Sequence, residues 1–239
     1  HNPDQLLKAI QADEENRNKG HLKIFFGYAA GVGKTYAMLE AAHMEKQQGI
    51  DVVAGYVEPH ARPKTAALLN GLEVLPTSEV LYNGMILNEF DIDMALKRKP
   101  QLILVDELAH TNAEGCRHAK RYQDIKELLN AGIDVYTTVN VQHIESLCDT
   151  VASITEIVVR ERIPDSLFDN ADQVELIDIE PQDLIDRLNT GNVYRQTQAK
   201  QVVENFFTIE NLTALREIAL RRCADRVNIL TENARIKNH

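Results

Sequence analysis

The chain has 239 residues, of which 44% are hydrophobic and 26% charged, so it is long enough to bury one large core, with or without a small appendage. Its formal net charge of −10 argues against broad nucleic-acid binding and against a basic membrane-binding patch. No apolar run approaches the roughly 18 residues that span a bilayer, and the first residues are polar. We therefore expect a soluble chain without a signal peptide.

The elements follow from apolar runs and their periodicity. Residues 1–20 carry acidic side chains and little apolar periodicity, and we interpret them as a short amphipathic lead-in. The elements predicted next, in chain order, are a strand at 22–26, a helix at 35–48, strands at 51–57 and 102–105, a helix at 121–130 and a strand at 135–139. Two more strands, at 156–163 and 174–179, are expected to extend the same sheet.

Strands that alternate with helices of this length are typical of βαβ units. We therefore predict an α/β fold with a mostly parallel, doubly wound sheet in a core at 21–180, and a helical C-terminal extension at 181–239. In that extension an apolar stripe at three- and four-residue spacing predicts a helix that packs on the same molecule. Its members are Leu212, Leu215, Ala219 and Cys223.

A glycine-rich loop at 27–35, Gly-Tyr-Ala-Ala-Gly-Val-Gly-Lys-Thr, separates the first predicted strand from a helix. Its end matches the Walker A pattern, in which glycines let backbone amides converge on phosphate oxygens. Lys34 would contact the β and γ phosphates, and the Thr35 hydroxyl would contact Mg²⁺. The sequence thus predicts a P-loop NTPase-like fold. The nucleotide-binding residues expected here are Gly27, Ala30, Gly31, Val32, Gly33, Lys34, Thr35 and Tyr36.

The loop departs from the Walker A pattern at its entry. The first glycine position of the pattern is occupied by Tyr28, and Gly27 comes one residue early. The Gly-Lys-Thr core is unaffected, so the departure concerns only how the chain turns into the loop.

A second acidic motif follows the strand at 102–105. Asp106 stands where a Walker B aspartate holds Mg²⁺ beside the P-loop hydroxyl, so we predict that Thr35 and Asp106 form the metal site. Glu107 is placed to orient or deprotonate a water that attacks the γ-phosphate, which makes it the candidate catalytic residue. The run at 106–110 also resembles a helicase Asp-Glu-x-x-His box, and with His118 it suggests zinc. A helicase needs two such folds, and a phosphate site explains the acids better.

A basic cluster at 117–121 precedes the second long helix. Arg117 or Arg121 could neutralise phosphate charge as arginine fingers do, and a solvated helix start is the equal alternative. We expect these basic side chains, with Lys120, to lie on a mobile loop.

Strand ends add further candidates, since doubly wound sheets place ligand contacts there. Asn140 or Gln142 could sense the γ-phosphate, and His60 and Arg62 follow the strand at 51–57. No Asn-Lys-x-Asp box for guanine is present, so ATP is favoured over GTP.

Five runs of residues together resemble one family. They are Gly-Val-Gly-Lys-Thr at 31–35, Asp-Glu-Leu-Ala-His-Thr-Asn at 106–112, Arg-His-Ala-Lys-Arg at 117–121, Gly-Ile-Asp-Val-Tyr-Thr-Thr-Val-Asn-Val-Gln-His-Ile-Glu-Ser-Leu at 132–147 and Ala-Leu-Arg-Arg-Cys-Ala-Asp-Arg at 219–226. In this order they resemble the N-terminal cytoplasmic domain of the KdpD family of osmosensitive potassium-system sensor histidine kinases. The likeness covers nearly the whole chain.

The resemblance implies a cytoplasmic input domain that binds ATP with Mg²⁺ and modulates a sensor kinase in the bacterial inner membrane. Its partners would be the remaining domains of that kinase and, indirectly, a response regulator that controls a high-affinity potassium transporter. The chain lacks a phosphoacceptor histidine followed by an acid and an Asp-x-Gly-x-Gly box, so we expect no autophosphorylation by it alone. It is either an excised domain or a stand-alone truncated relative.

Two other functions compete with a regulatory ATP-binding domain. One is a stand-alone P-loop ATPase or small-molecule phosphotransferase, for which Glu107 is the relevant feature. The other is an interaction scaffold with a vestigial phosphate loop. Substitution of Lys34 by alanine would distinguish the scaffold from the two nucleotide-binding functions, since a scaffold should not be affected by the loss of this lysine.

Overall fold

The computed structural model of the chain describes residues 2–58, 62–190 and 206–238. Its α-helices are α1 (Pro3–Arg17), α2 (Lys34–Gln47), α3 (Pro63–Ala67), α4 (Ile92–Arg98), α5 (Arg121–Asn130), α6 (Cys148–Thr155), α7 (Asp165–Asp169), α8 (Pro181–Thr190) and α9 (Ile209–Lys237). Its strands are β1 (Leu22–Gly27), β2 (Val52–Tyr56), β3 (Glu73–Val74), β4 (Ser78–Tyr82), β5 (Met85–Glu89), β6 (Leu102–Val105), β7 (Asp134–Asn140) and β8 (Gln173–Leu176).

Six strands form the central sheet, in the order β3-β2-β6-β7-β1-β8. All of the recorded strand pairs in this sheet are parallel. Parallel strands place their carboxyl ends on one edge, so the ends of β1, β2, β6 and β7 meet there. Gly27 at the end of β1 pairs in register with Asn140 at the end of β7, and these two ends hold the site described below.

Alternate strand residues face two separate cores because successive side chains point to opposite faces of a sheet. Phe25 and Leu104 lie in one core with α2, whose Met38 and Leu39 are fully buried. Phe26 and its neighbours lie in the other core with α5, α6, α8 and α9. Helices therefore cover both faces, which confirms the predicted α/β architecture with a mostly parallel sheet.

The predicted elements before residue 140 are present within one or two residues of their expected ends. The strand expected at 174–179 is present as β8, which pairs with β1. The strand expected at 156–163 is wrong. Glu156 ends α6 with a left-handed φ of 60°, and the segment that follows makes a single bridge, from Ile163 to Ile144, outside the sheet. Its β-branched residues indicated a strand, but β8 takes the free edge of β1 instead.

The sequence reasoning missed a β-hairpin formed by β4 and β5, which pair antiparallel outside the central sheet. Its turn is Asn83–Gly84, where both residues have positive φ, 48° and 76°. These values suit a type I′ turn, whose twist matches that of the strands, and Asn-Gly is its preferred sequence. The dipeptide was therefore an available signal. The short helices α3 and α4 were missed as well.

The C-terminal helix α9 joins the main core. Leu212, Leu215 and Ala219 are buried, and Cys223 packs against the same cluster, as the apolar stripe predicted. Arg222 of α9 donates to Asp169 at 2.7 Å and to Asp165 at 3.2 Å, which ties α9 to α7. The division into a lead-in, core and extension stays a prediction. Within the described residues, no helix has both the length and the apolar character needed to cross a bilayer.

Candidate functional site

The glycine-rich loop, residues 27–35, connects β1 to α2 at the carboxyl edge of the sheet. Gly31 and Gly33 have φ values of 90° and 108°, a region that favours glycine. A Cβ on Gly27 would lie 2.6 Å from Cγ2 of Val32, so any larger residue there would force the buried Val32 side chain to shift. The early glycine at position 27 therefore leaves room for Val32 and Lys34 to pack against the end of β1.

Tyr28 explains the departure from the Walker A pattern. Its side chain is fully buried, and its hydroxyl donates to the carbonyl oxygen of Ile179 at 2.9 Å. Burial, with Asp178 nearby, raises the pKa of Tyr28 to about 12, so the phenol stays a donor. The tyrosine thus turns away from the loop opening and anchors the loop to the segment before α8.

Lys34 begins α2, and its ammonium group lies inside the loop. The residue is 9% exposed, and Nζ donates to the carbonyl oxygen of Ala29 at 3.1 Å. Burial lowers the pKa of Lys34 to about 8, against the opposing attraction of Asp106 and Glu107. A buried cation with one neutral partner is well suited to an anionic ligand.

Asp106, at the end of β6, is buried, and its carboxylate accepts hydrogen bonds from three groups of the described residues. The Thr35 hydroxyl donates to Oδ2 at 3.0 Å, the Glu58 amide donates to Oδ2 at 3.1 Å, and the Thr138 hydroxyl donates to Oδ1. The structure therefore brings together Thr35 and Asp106, which are 71 residues apart. Hydroxyl and carboxylate oxygens are the ligands that Mg²⁺ prefers, so the donor set fits this ion.

Glu107 follows with a left-handed φ of 61°, uncommon for a residue with a side chain. Its amide donates to the Thr138 hydroxyl at 3.1 Å, which holds this backbone in place. Partial burial, a hydrogen bond with Glu58 and the charges of Glu58 and Asp106 raise the pKa of Glu107. The Glu107 side chain is 42% exposed, so solvent reaches this residue.

Both arginines of the basic cluster at 117–121 are engaged by other residues of the chain. Arg121 is fully buried: it donates to the Asp106 carbonyl oxygen at 3.1 Å and to Glu89 at 3.3 Å, and its guanidinium carbon lies 4.0 Å from the Tyr56 ring centroid. Arg117 pairs with Asp93 and Glu127. The expected loop position is wrong for Arg121, which begins α5 and is buried, whereas the mobility of the segment before it stays a prediction.

Asn140 and Gln142 lie at the end of β7, beside the loop entry. Their side-chain oxygens, Oδ1 and Oε1, are buried, and neither has a hydrogen-bond partner among the residues that the structure describes. Such groups are costly to leave unsatisfied and mark a place where a ligand or water would fit.

The remaining predicted residues lie around the loop. Ala30 is half-buried, Val32 is buried, and Tyr36 in the first turn of α2 is 39% exposed. Nη2 of Arg62 lies 3.4 Å from the point that a Cβ on Gly31 would occupy. His60 lies outside the described residues.

Helix α8 covers the outer side of the glycine-rich loop, which the sequence reasoning did not foresee. Leu184 and Leu188 would lie 3.1 and 3.6 Å from a Cβ on Gly31. Arg187 donates through Nη1 to the carbonyl oxygen of Val32 at 3.4 Å. No local motif marks these residues, because their relation to the loop spans 155 positions.

Comparisons with known proteins agree with the resemblance seen in the sequence. The family model described as "KdpD: Osmosensitive K+ channel His kinase sensor domain" matches residues 18–227. The sensor protein KdpD of Clostridium acetobutylicum is 62% identical over 98% of the chain, and that of Escherichia coli is 57% identical over 95%. A putative sensor protein KdpD of Synechocystis is 49% identical over 92% of the chain and is covered over 60% of its length.

The chain spans about a quarter of the first two relatives, 26% and 25% of their lengths. The match nevertheless covers every residue of the candidate site, from Gly27 to Arg187. The chain belongs to the family of osmosensitive K⁺ channel His kinase sensor domains.

Proposed function

We propose that this chain is a P-loop nucleotide-binding domain that takes ATP with Mg²⁺ and uses it to regulate a sensor kinase. The observation that carries the proposal is the contact between Thr35 and Asp106, 3.0 Å apart at the head of the glycine-rich loop. A hydroxyl that opens a helix beside a strand-end carboxylate is the arrangement in which P-loop proteins hold nucleotide-bound Mg²⁺.

Each residue of the site has a role in this proposal. The amides between Gly31 and Thr35 receive phosphate oxygens, aided by the positive end of α2. Lys34 exchanges the Ala29 carbonyl for the β and γ phosphates. Thr35 and Asp106 would hold Mg²⁺, which supplies charge neutralisation at the phosphates. Asn140 would use its unsatisfied side chain on the terminal phosphate or on a water beside it.

The kinase context is also a proposal, since the chain spans only about a quarter of the relatives named as sensor proteins. We propose that the domain acts as the cytoplasmic input of a membrane-bound histidine kinase that controls potassium uptake through a response regulator. Nucleotide occupancy would bias the kinase through contacts with its other domains.

Thermal denaturation with and without ATP and Mg²⁺ tests the nucleotide site. A ligand at about 100 times its Kd adds about 2.7 kcal/mol to the free energy of unfolding, which raises Tm by about 5–10 °C in a chain of this size. Lys34→Ala should remove most of the rise, and Lys97→Ala, at an exposed position of α4, should keep it. An unchanged wild-type Tm in millimolar ATP would refute nucleotide binding.

A P-loop ATPase is the second candidate, favoured by Glu107 with its raised pKa beside Asp106. The fixed partners of Arg117 and Arg121 argue against fast turnover, since a positioned arginine adds about 10³–10⁵-fold and switches without one run at roughly 10⁻⁴–10⁻² per second. Phosphate release at several per second, abolished by Glu107→Gln, would establish the ATPase instead.

A further inference from the structure

A triphosphate at the proposed site would bring several negative charges next to Asp106, Glu107 and Glu58. Two of the arginines expected to balance that charge are already engaged. Arg121 is buried against Glu89 and the Asp106 carbonyl, and Arg117 forms ion pairs with α4 and α5. Releasing either would leave buried or paired carboxylates without a cation, which is unfavourable.

Arg187 of α8 is in a different position. Its side chain is exposed, and within the described part of the chain it makes one side-chain hydrogen bond, at 3.4 Å to a neutral carbonyl, and no ion pair. Nη1 lies 3.8 Å from the point that a Cβ on Gly33 would occupy. The guanidinium therefore already lies at the rim where the loop amides would receive phosphate.

The helix that carries Arg187 is held firmly against the loop. Leu184, one turn earlier, is fully buried in the main core, and both Leu184 and Leu188 contact the Gly31 backbone region. The Tyr28 hydroxyl bonds the segment that precedes α8. A side chain on so fixed a helix loses little further freedom when it binds a ligand.

We propose that Arg187 is a phosphate-binding residue of this site, supplied by α8 within the same chain. The inference rests on the proposed nucleotide function. On binding, the guanidinium exchanges the long Val32 bond for a forked, charge-assisted contact with terminal phosphate oxygens. Because α8 packs against α9, that contact also connects phosphate occupancy to the C-terminal helix.

The test measures the affinity of the whole chain for ATP with Mg²⁺ and, separately, for inorganic tripolyphosphate. Arg187→Gln should weaken both by at least about tenfold, the loss expected for one hydrogen bond to a charged group. Arg187→Lys should be intermediate, since it keeps the charge and loses the fork. The matched control is Arg221→Gln on α9, whose side chain is 75% exposed and which should bind like the wild type.

Two results would overturn the role of Arg187 and leave nucleotide binding intact. One is Arg187→Gln binding ATP within twofold of the wild type. The other is a loss for ATP without a loss for tripolyphosphate, which would place the contact on the base or ribose. Ligand-free melting of each variant checks the fold, and little change is expected because the side chain is exposed. If the wild type binds neither ligand, the nucleotide function itself fails.

Discussion

Glu107 has a strained backbone conformation within the candidate site. Its left-handed φ of 61° costs roughly 1–2 kcal/mol for a residue with a side chain, and the Thr138 hydroxyl that bonds its amide also bonds Asp106. Strain of this kind persists only where neighbouring contacts enforce it, and it clusters at functional sites. The sequence placed Glu107 directly after the predicted metal residue. Its left-handed backbone conformation could not be predicted, because it is held by the hydrogen bond to Thr138 of β7.

We predict that Glu107→Gln raises Tm at pH 8.5 and changes it little at pH 5. The raised pKa of Glu107 means that the folded state keeps the proton while the unfolded chain, with a pKa of about 4.3, releases it. Stability from this group is full below the unfolded pKa and is lost as pH rises toward the folded one. Glutamine cannot ionise, so the variant escapes that loss.

Thermal denaturation from pH 5 to 8.5 measures the difference between the two proteins. Glu114→Gln, at an exposed position, is the control and should show no growing difference. An equal Tm change at both ends of the pH range would mean that Glu107 is ionised in the folded protein at every pH tested.

At the scale of elements, the two arginines near the start of α5 differ in burial: Arg121 is buried and Arg117 is partly exposed. Arg121 lies between β6, β5 and the Tyr56 ring, whereas Arg117 is 42% exposed in the preceding turn. Their sequence neighbourhood is the same basic run, so residue type alone could not distinguish them. The packing of α5 on the sheet, with Ile125 and Leu128 buried, made the difference.

Arg121→Ala should lower the free energy of unfolding by about 3 kcal/mol, since it leaves the buried Glu89 carboxylate without its arginine and with His110 and the Ala113 amide as the partners found in the described residues. Arg117→Ala should cost less than about 1 kcal/mol, as exposed ion pairs do. Denaturant unfolding of both variants gives the comparison. Equally small losses would show that Arg121 is not held by its buried partners and is available to a ligand.

For the whole molecule, the question is whether α9 belongs to the cooperative unit of the sheet. Leu215 of α9 is fully buried in the same core as Phe26 and Ile24 of β1. The shared core joins residues from nearly the full length of the chain, so it would hold the proposed nucleotide site and the C-terminal helix in one folded body.

Leu215→Ala should therefore lower the stability of the entire chain by about 2–5 kcal/mol in a single transition, the usual cost of such a cavity. Leu220→Ala, at a side chain 45% exposed on the same helix, should cost about 0.5 kcal/mol or less. Circular dichroism and Tyr fluorescence followed together in denaturant provide the measurement. Two separate transitions, with Leu215→Ala altering one of them, would make α9 an independent unit.

The sequence by itself determined the local features of this protein. Apolar runs and glycine stops gave the βαβ elements, and the Gly-Lys-Thr and Asp-Glu motifs named residues that do meet, because parallel strands bring their carboxyl ends to one edge. Short-range signals of this kind depend on neighbouring residues alone. Even the missed hairpin had one, in Asn83–Gly84.

Only the tertiary structure decided which distant residues surround the loop. The free edge of β1 pairs with β8 and leaves 156–163 outside the sheet. Arg121 is buried against the Asp106 carbonyl oxygen and Glu89, and α8 brings Arg187 to the loop. The position of Arg187 depends on packing between residues 155 positions apart, and that of Arg121 on partners 15 and 32 positions away. Packing of that range minimises exposed apolar area over the whole chain at once, so no local pattern contains it.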